Sequence, residues 1–327
     1  MLETIGLLGN ILVLLIAILI LDKASDLVIN NAVKIADLTG FGKTTIGFIL
    51  VAMGTTLPEL SVTIFAATTG GSVEVAIGNV LGSCIVNICL ILGIAFILTA
   101  LKNPSCSQVA PMLAREETGT LYFGLFAASA IPLALIYVGE ASRIIGVILI
   151  AIFIYHTYLL SKTRRIREEG TLGAEHERLN FYVLITFISA IIVVISAYFI
   201  VVSAVYIARA VGIPEVVIGS TIIAFGTSLP EFANSVKSSQ KGHLDLALGN
   251  IVGSNFINTT LILGTSLIGS PLIIHMRAFT NVVLFSLITS LLLWYFLSSE
   301  RIGWREGLIL LFLYAVFLFV SYGGYRT

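Results

Sequence analysis

The sequence predicts an all-α membrane protein of ten transmembrane helices arranged as two inverted five-helix repeats, on three observations. Of 327 residues, 57% are hydrophobic and 11% charged, against roughly 45–50% and 25% in soluble domains, and the mean hydropathy is +1.04. One string is written twice, 172 residues apart, as Gly54-Thr55-Thr56-Leu57-Pro58-Glu59 and Gly226-Thr227-Ser228-Leu229-Pro230-Glu231. The apolar runs fall five on each side of a single hydrophilic stretch, Ser161 to Arg178.

The apolar runs are about 20 residues long, enough to cross a hydrocarbon layer of about 30 Å as helices, and lack the alternating pattern of a membrane barrel. In order they are 5-36, 44-68, 73-98, 119-138 and 142-162, then 180-209, 214-238, 244-268, 279-298 and 303-322. The first is long, with a polar second half. Met1 to Leu21 holds Glu3 and no Lys or Arg, so it lacks the basic region of a cleaved signal peptide and is expected to stay as a helix. The expected organisation is a first repeat over 1-162, a linker over 163-178 and a second repeat over 179-327.

Thirteen of the eighteen Lys and Arg residues lie in loops on one face, four on the other, and Lys23 within the first segment. Cytoplasmic loops collect such residues, so the linker is expected in the cytoplasm and both termini outside. With an odd number of spans per repeat, the second copy sits upside down relative to the first. Such inverted repeats place their ligand near the midplane, where interrupted helices meet.

The duplicated string supplies those interruptions. Pro58 and Pro230 have no N–H, which leaves the carbonyls of Gly54 and Gly226 without their helical donor. Thr55 and Glu59, like Thr227 and Glu231, are four residues apart and share a helix face. A charge at the bilayer centre costs about 2.5–3.5 kcal/mol even on the mild insertion scale, so two carboxylates repeated with their flanks mark a site and not a packing accident. Freed carbonyls and buried carboxylates suit a hard cation, since Ca²⁺ takes six to eight oxygen ligands.

A second pair of strings follows: Gly78-Asn79-Val80-Leu81-Gly82-Ser83 with Asn87, and Gly249-Asn250-Ile251-Val252-Gly253-Ser254 with Asn258. Ser83 and Asn87, and Ser254 and Asn258, present neutral oxygen donors on one face. The glycines four apart read as close helix packing. Asp22, Lys23 and Asp26 read as an intrahelical ion pair or a gate contact. Glu74 and Asp245 lie at helix starts, where a carboxylate suits the positive end. His156 is expected to pack with its ring nitrogen bonded. Cys84 and Cys89 within a helix and Cys106 in a loop form neither a disulfide framework nor metal spacing. Zero net charge and the absence of a basic stripe exclude a nucleic-acid partner; the lipid bilayer is the expected environment. No HExxH helix occurs and no nucleophile is paired with a base, so no enzyme and no bound cofactor is expected.

These two strings, in two halves of five helices, resemble the alpha repeats of the sodium/calcium exchanger family, part of the cation/calcium antiporter superfamily, over roughly 46-93 and 218-264. The resemblance implies an antiporter for Na⁺ and Ca²⁺. It implies that Glu59 and Glu231 bind Ca²⁺ with the backbone carbonyls of Thr55 and Thr227, in a central site that Asn87 and Asn258 complete. It implies Na⁺ sites built from the hydroxyls of Thr55, Thr56, Ser83, Thr227, Ser228 and Ser254 with the carbonyls of Ala52 and Ala224, and a sliding of helices one and six that alternates access. Some prokaryotic members carry an acid where this chain has Asn258, and Thr56 replaces the commoner serine. Two readings stay open beside it: a proton/calcium antiporter, since the same carboxylates suit protons, and a cation channel.

Overall fold

The computed structural model describes residues 6–39, 43–60, 73–102, 115–162, 176–210, 224–269, 274–275, 280–299 and 302–323. Among them α1 is Gly6–Thr39. The segment α2 runs Lys43–Ile46, widens into a π-turn at Gly47–Val51, continues over Ala52–Thr55 and breaks at Thr56. α3 is continuous from Val73–Ile85 through a π segment at Val86–Leu92 into Gly93–Lys102. α4 (Arg115–Val138) and α5 (Arg143–Lys162) close the first half.

The second half repeats the pattern. α6 is His176–Ala210; α7 comes in two pieces, Ala224–Thr227 and Leu229–Lys241, broken at Ser228. α8 runs Leu244–Ile257, through a π segment at Asn258–Ile262, into Leu263–Gly269. α9 (Thr280–Ser298) and α10 (Trp304–Gly323) follow. Several helices overrun their expected bounds at charged ends, as α4 does at Arg115, because hydropathy marks only the stretch inside hydrocarbon. Residues 5, 61–68, 214–223 and 279 of the expected spans and 163–175 of the expected linker lie outside the described residues; His176–Arg178, expected in the linker, instead open α6, because a charged turn can extend a helix beyond its apolar run.

Among the described residues, α1, α3, α4, α5, α6, α8 and α9 are long and apolar enough to cross a membrane. Burial sorts these helices into layers. The most apolar window of α8 is 83% buried and that of α3 67%, against 22% for α1 and α5. α3 and α8 are therefore the centre, and α1 with its long partner α6 forms an outer pair that shows lipid its leucines: Leu8, Leu12 and Leu19 are exposed. Val28, Ile29 and Ala32 of α1 pack with Val193 and Ala197 of α6. Phe48, Phe96, Leu121, Ile251 and Phe256 fill the core between α2, α3, α4 and α8.

Glycine lets α2 lie directly on α8. A Cβ at Gly249 would run into the Thr44 carbonyl, and one at Gly253 would stand 2.5 Å from the Phe48 carbonyl and 2.9 Å from the Ala52 Cβ. The packing reading of that pair holds. At Gly82, the match of Gly253, a Cβ would meet none of the described residues within 4 Å, and the counterpart of Phe48, which covers Gly253, falls in 211–223, outside them. Where α4 turns into α5 the chain meets the turn after α8: β1 (Glu140–Ala141) pairs antiparallel with β2 (Ile274–His275).

Candidate functional site

Each broken helix stops at the same place for the same reason. Thr56 has φ −80°, ψ 6° and Ser228 has φ −90°, ψ 10°, the bridge region where a helical turn is interrupted. Two residues later come Pro58 and Pro230, and the helix resumes with Glu59 or Glu231 in its first turn. Across from them, the π segments of α3 and α8 contain Asn87 and Asn258; one extra residue per turn at these points re-aims the side chains, as π-bulges at functional sites do.

The expected residues converge. Glu59, Glu231, Thr55, Asn87, Asn258, Ser228 and Ser254 are all fully buried, and Thr56 and Ser83 nearly so. Thr227 is half-buried. The two carboxylates are close enough for their charges to interact. Ser254 Oγ donates to Glu231 Oε1 at 3.4 Å; Ser228 lies near Glu59 and Thr55 near Glu231, so each broken helix sets a hydroxyl beside the other's carboxylate without bonding it.

Most acceptors in this centre are unused. Among the described residues, both Glu59 oxygens, Glu231 Oε2, Asn87 Oδ1, Asn258 Oδ1 and Ser228 Oγ have no hydrogen-bond partner. Buried polar groups in native proteins are normally satisfied, so such a cluster marks a place where something else binds. The donors are oxygens only, and no group of three or more His, Cys, Asp or Glu side chains occurs among the described residues; this chemistry suits hard cations and not transition metals. Ala52 O accepts from the Thr56 N–H at 3.0 Å and from Thr56 Oγ1 at 2.9 Å. The Ala224 side chain is not described, and its helical piece opens α7 at the equivalent position.

Three asparagines escaped the sequence reading. Thr55 Oγ1 donates to Asn250 Oδ1 at 3.3 Å and Thr227 Oγ1 to Asn79 Oδ1 at 3.4 Å. Asn255, fully buried, accepts from Asn87 Nδ2 at 2.9 Å and donates to the Cys84 carbonyl at 3.2 Å. All three lie in the second strings, four residues before each serine or beside it, and that periodicity was the available signal.

Other expectations divide. Asp22 and Asp26 do not pair with Lys23: Lys237 of α7 bridges them at 2.5 and 3.5 Å, and Lys241 reaches Asp26 at 2.6 Å. The partners lie on another helix, out of sight of local spacing, and join α1 to α7. Asp245 serves its helix start, accepting from the Leu246 N–H at 2.9 Å; the Glu74 side chain is outside the described residues. His156 packs against Phe48, Phe123 and Phe256 with centroids 5.7, 4.0 and 4.9 Å away, but its Nε2 has no partner among the described residues: the rings that surround it offer faces and no acceptor. Cys84 and Cys89 are buried free thiols; Cys106 lies outside the described residues.

The sodium/calcium exchanger protein family matches this chain twice, at residues 9–162 and 181–323. The sodium/calcium exchanger MaX1 of Methanosarcina acetivorans is 32% identical over 96% of this chain and 98% of its own. The inner membrane protein YrbG of Escherichia coli is 30% identical over 94% and 95%. A structure of the sodium-calcium exchanger NCX_Mj soaked with Na⁺ and Sr²⁺ superposes with a TM-score of 0.80 at 28% identity, covering 94% of this chain and 96% of that one. The duplicated broken helices and the whole-length likeness lead to one conclusion: the chain belongs to the sodium/calcium exchanger family, multi-pass membrane transporters for cations and calcium, and is not an enzyme.

Proposed function

We propose that this protein is a secondary antiporter that exchanges Na⁺ for Ca²⁺ across a cell membrane through one alternating site. The observation that carries this reading is the fully buried pair Glu59 and Glu231, with three of four carboxylate oxygens unpartnered among the described residues, inside a shell of hydroxyl and amide oxygens. Two carboxylates balance one Ca²⁺ or hold a small group of Na⁺, but not both at once. Binding one set expels the other, which is what exchange requires.

In this reading Ca²⁺ takes Glu59, Glu231, the carbonyls of Thr55 and Thr227, and Asn87 and Asn258. Na⁺ takes the hydroxyls of Thr55, Thr56, Ser83, Thr227, Ser228 and Ser254 with the carbonyls of Ala52 and Ala224. Because Ala52 O and Thr56 Oγ1 are hydrogen-bonded to each other, Na⁺ there replaces that bond with two ion contacts. Ten spans form two inverted five-helix halves, 1-162 and 179-327, joined by a cytoplasmic linker, 163-178, with both termini outside. MaX1 and NCX_Mj, described as sodium/calcium exchangers, support the choice of ions.

The test is Ca²⁺ uptake into proteoliposomes loaded with Na⁺, diluted into Na⁺-free medium, with the pH gradient collapsed by an ionophore. Na⁺-dependent uptake is expected. Uptake that follows an imposed pH gradient and ignores Na⁺ makes the protein a proton/calcium antiporter, and flux far above about a thousand ions per second, beyond the usual scale of turnover, makes it a channel.

A further inference from the structure

We propose that Asn79 and Asn250 are positioning residues of the ion site, each holding the threonine hydroxyl of the opposite repeat so that either half's donors are aimed by the other half. The inference rests on the exchange reading above.

The two contacts are equivalent by the internal symmetry. Thr55 on α2 meets Asn250 on α8 at 3.3 Å, and Thr227 on α7 meets Asn79 on α3 at 3.4 Å. Each joins a broken helix of one repeat to a central helix of the other. On α3, Asn79, Ser83 and Asn87 recur every four residues, and on α8 so do Asn250, Ser254 and Asn258, so each central helix carries a polar ladder on one face. On α8 the first rung meets Thr55 and the second meets Glu231: one helix touches both broken helices.

A threonine hydroxyl has a single hydrogen and two lone pairs. The Thr55 hydrogen has two acceptors in reach, Asn250 Oδ1 at 3.3 Å and its own helix's Ala52 O at 3.3 Å. With the hydrogen on Asn250, the hydroxyl lone pairs turn away from α8 and the Ala52 carbonyl is relieved of one donor. Without Asn250 the hydrogen folds back onto Ala52, which removes an oxygen from the donor set and misaims another. The amide's orientation is itself fixed, because Asn250 Nδ2 donates to Ser235 Oγ at 3.0 Å, leaving Oδ1 for Thr55. The residue matching Ser235 in the first repeat is Thr63, outside the described residues.

The experiment is a double-mutant cycle on the full chain in proteoliposomes, reading the half-saturating Na⁺ that drives Ca²⁺ uptake and the maximal rate separately for wild type, Thr55→Val, Asn250→Ala and the double variant. Each single substitution is expected to raise half-saturating Na⁺ about tenfold, the equivalent of about 1.4 kcal/mol, with maximal rate within about twofold. The double variant is expected to be no worse than the weaker single variant, because Asn250 acts through Thr55. Losses that multiply in the double variant, or a fall in maximal rate with half-saturating Na⁺ unchanged, overturn the proposal and leave Asn250 a purely structural residue. Where Asn250→Ala does not fold, Asn79→Ala with Thr227→Val runs the same cycle in the opposite half with the same two outcomes. Absence of exchange in the wild type refutes the functional reading instead, so the two failures are distinct.

Discussion

Glu59 and Glu231 are each fully buried in a chain that is 57% hydrophobic, and a carboxylate in that setting is retained only where its charge is used. Glu59→Gln and Glu231→Gln keep shape and one oxygen but remove the charge that offsets the dehydration of a divalent ion. Each is expected to abolish Ca²⁺ exchange in reconstituted vesicles while leaving expression and size-exclusion behaviour at wild-type level. Robust exchange by either variant refutes the assignment of that carboxylate. At this scale the sequence was informative about the ionisable residues, because charge in an apolar segment is rare, and silent about Asn79, Asn250 and Asn255. Asparagine in a membrane helix is cheap enough to serve packing, interhelical hydrogen bonds being on the order of 1 kcal/mol, so only its partner reveals its use.

Helices meet at two junctions whose chemistry makes predictions. α2 lies on α8 through Gly249, where an added Cβ meets the Thr44 carbonyl, a backbone atom that no side-chain rotation can move. Gly249→Ala is expected to cost about 1–3 kcal/mol by overpacking, read as a lowered thermal unfolding midpoint in detergent. A wild-type midpoint would show that the two helices separate freely. At the turn from α7 to α8, Lys43 Nζ lies 3.2 Å from His243 Nδ1, a contact that needs a neutral imidazole. Burial, and then the Lys43 charge, hold the His243 pKa below its ordinary value. The unfolded chain therefore takes up a proton that the folded turn refuses. The contribution to stability is complete above the ordinary histidine pKa of about 6.5 and is lost as the pH falls below it. His243→Gln is expected to flatten the fall in unfolding midpoint between about pH 7 and pH 5.5, across that value; an unchanged slope assigns the acid sensitivity to another group. The helices themselves were readable from apolar runs, and the breaks at Thr56 and Ser228 follow from Pro58 and Pro230, while the π segments at Gly47–Val51, Val86–Leu92 and Asn258–Ile262 have no such marker in the sequence.

For the whole molecule, if the proposed exchange follows the ratio of three Na⁺ for one Ca²⁺ that the family resemblance implies, each cycle moves one net charge, worth about 2.3 kcal/mol per 100 mV. Ca²⁺ uptake driven by internal Na⁺ is expected to rise when a K⁺ diffusion potential made with valinomycin is set inside-positive, since each Ca²⁺ entering is outweighed by three Na⁺ leaving. Voltage-independent uptake would point to an electroneutral ratio of two to one. The sequence by itself determined the membrane class, the helical segments, the duplication and the acidic pair, because hydropathy, proline and charge act locally and leave their marks in order along the chain. Only the tertiary structure decided which helices lie at the centre, that Asp22 and Asp26 pair with Lys237 and Lys241, and that each repeat's threonine is held by the other's asparagine. Those contacts join residues 148 to 215 positions apart, and no local pattern encodes a partner that the fold alone brings within reach.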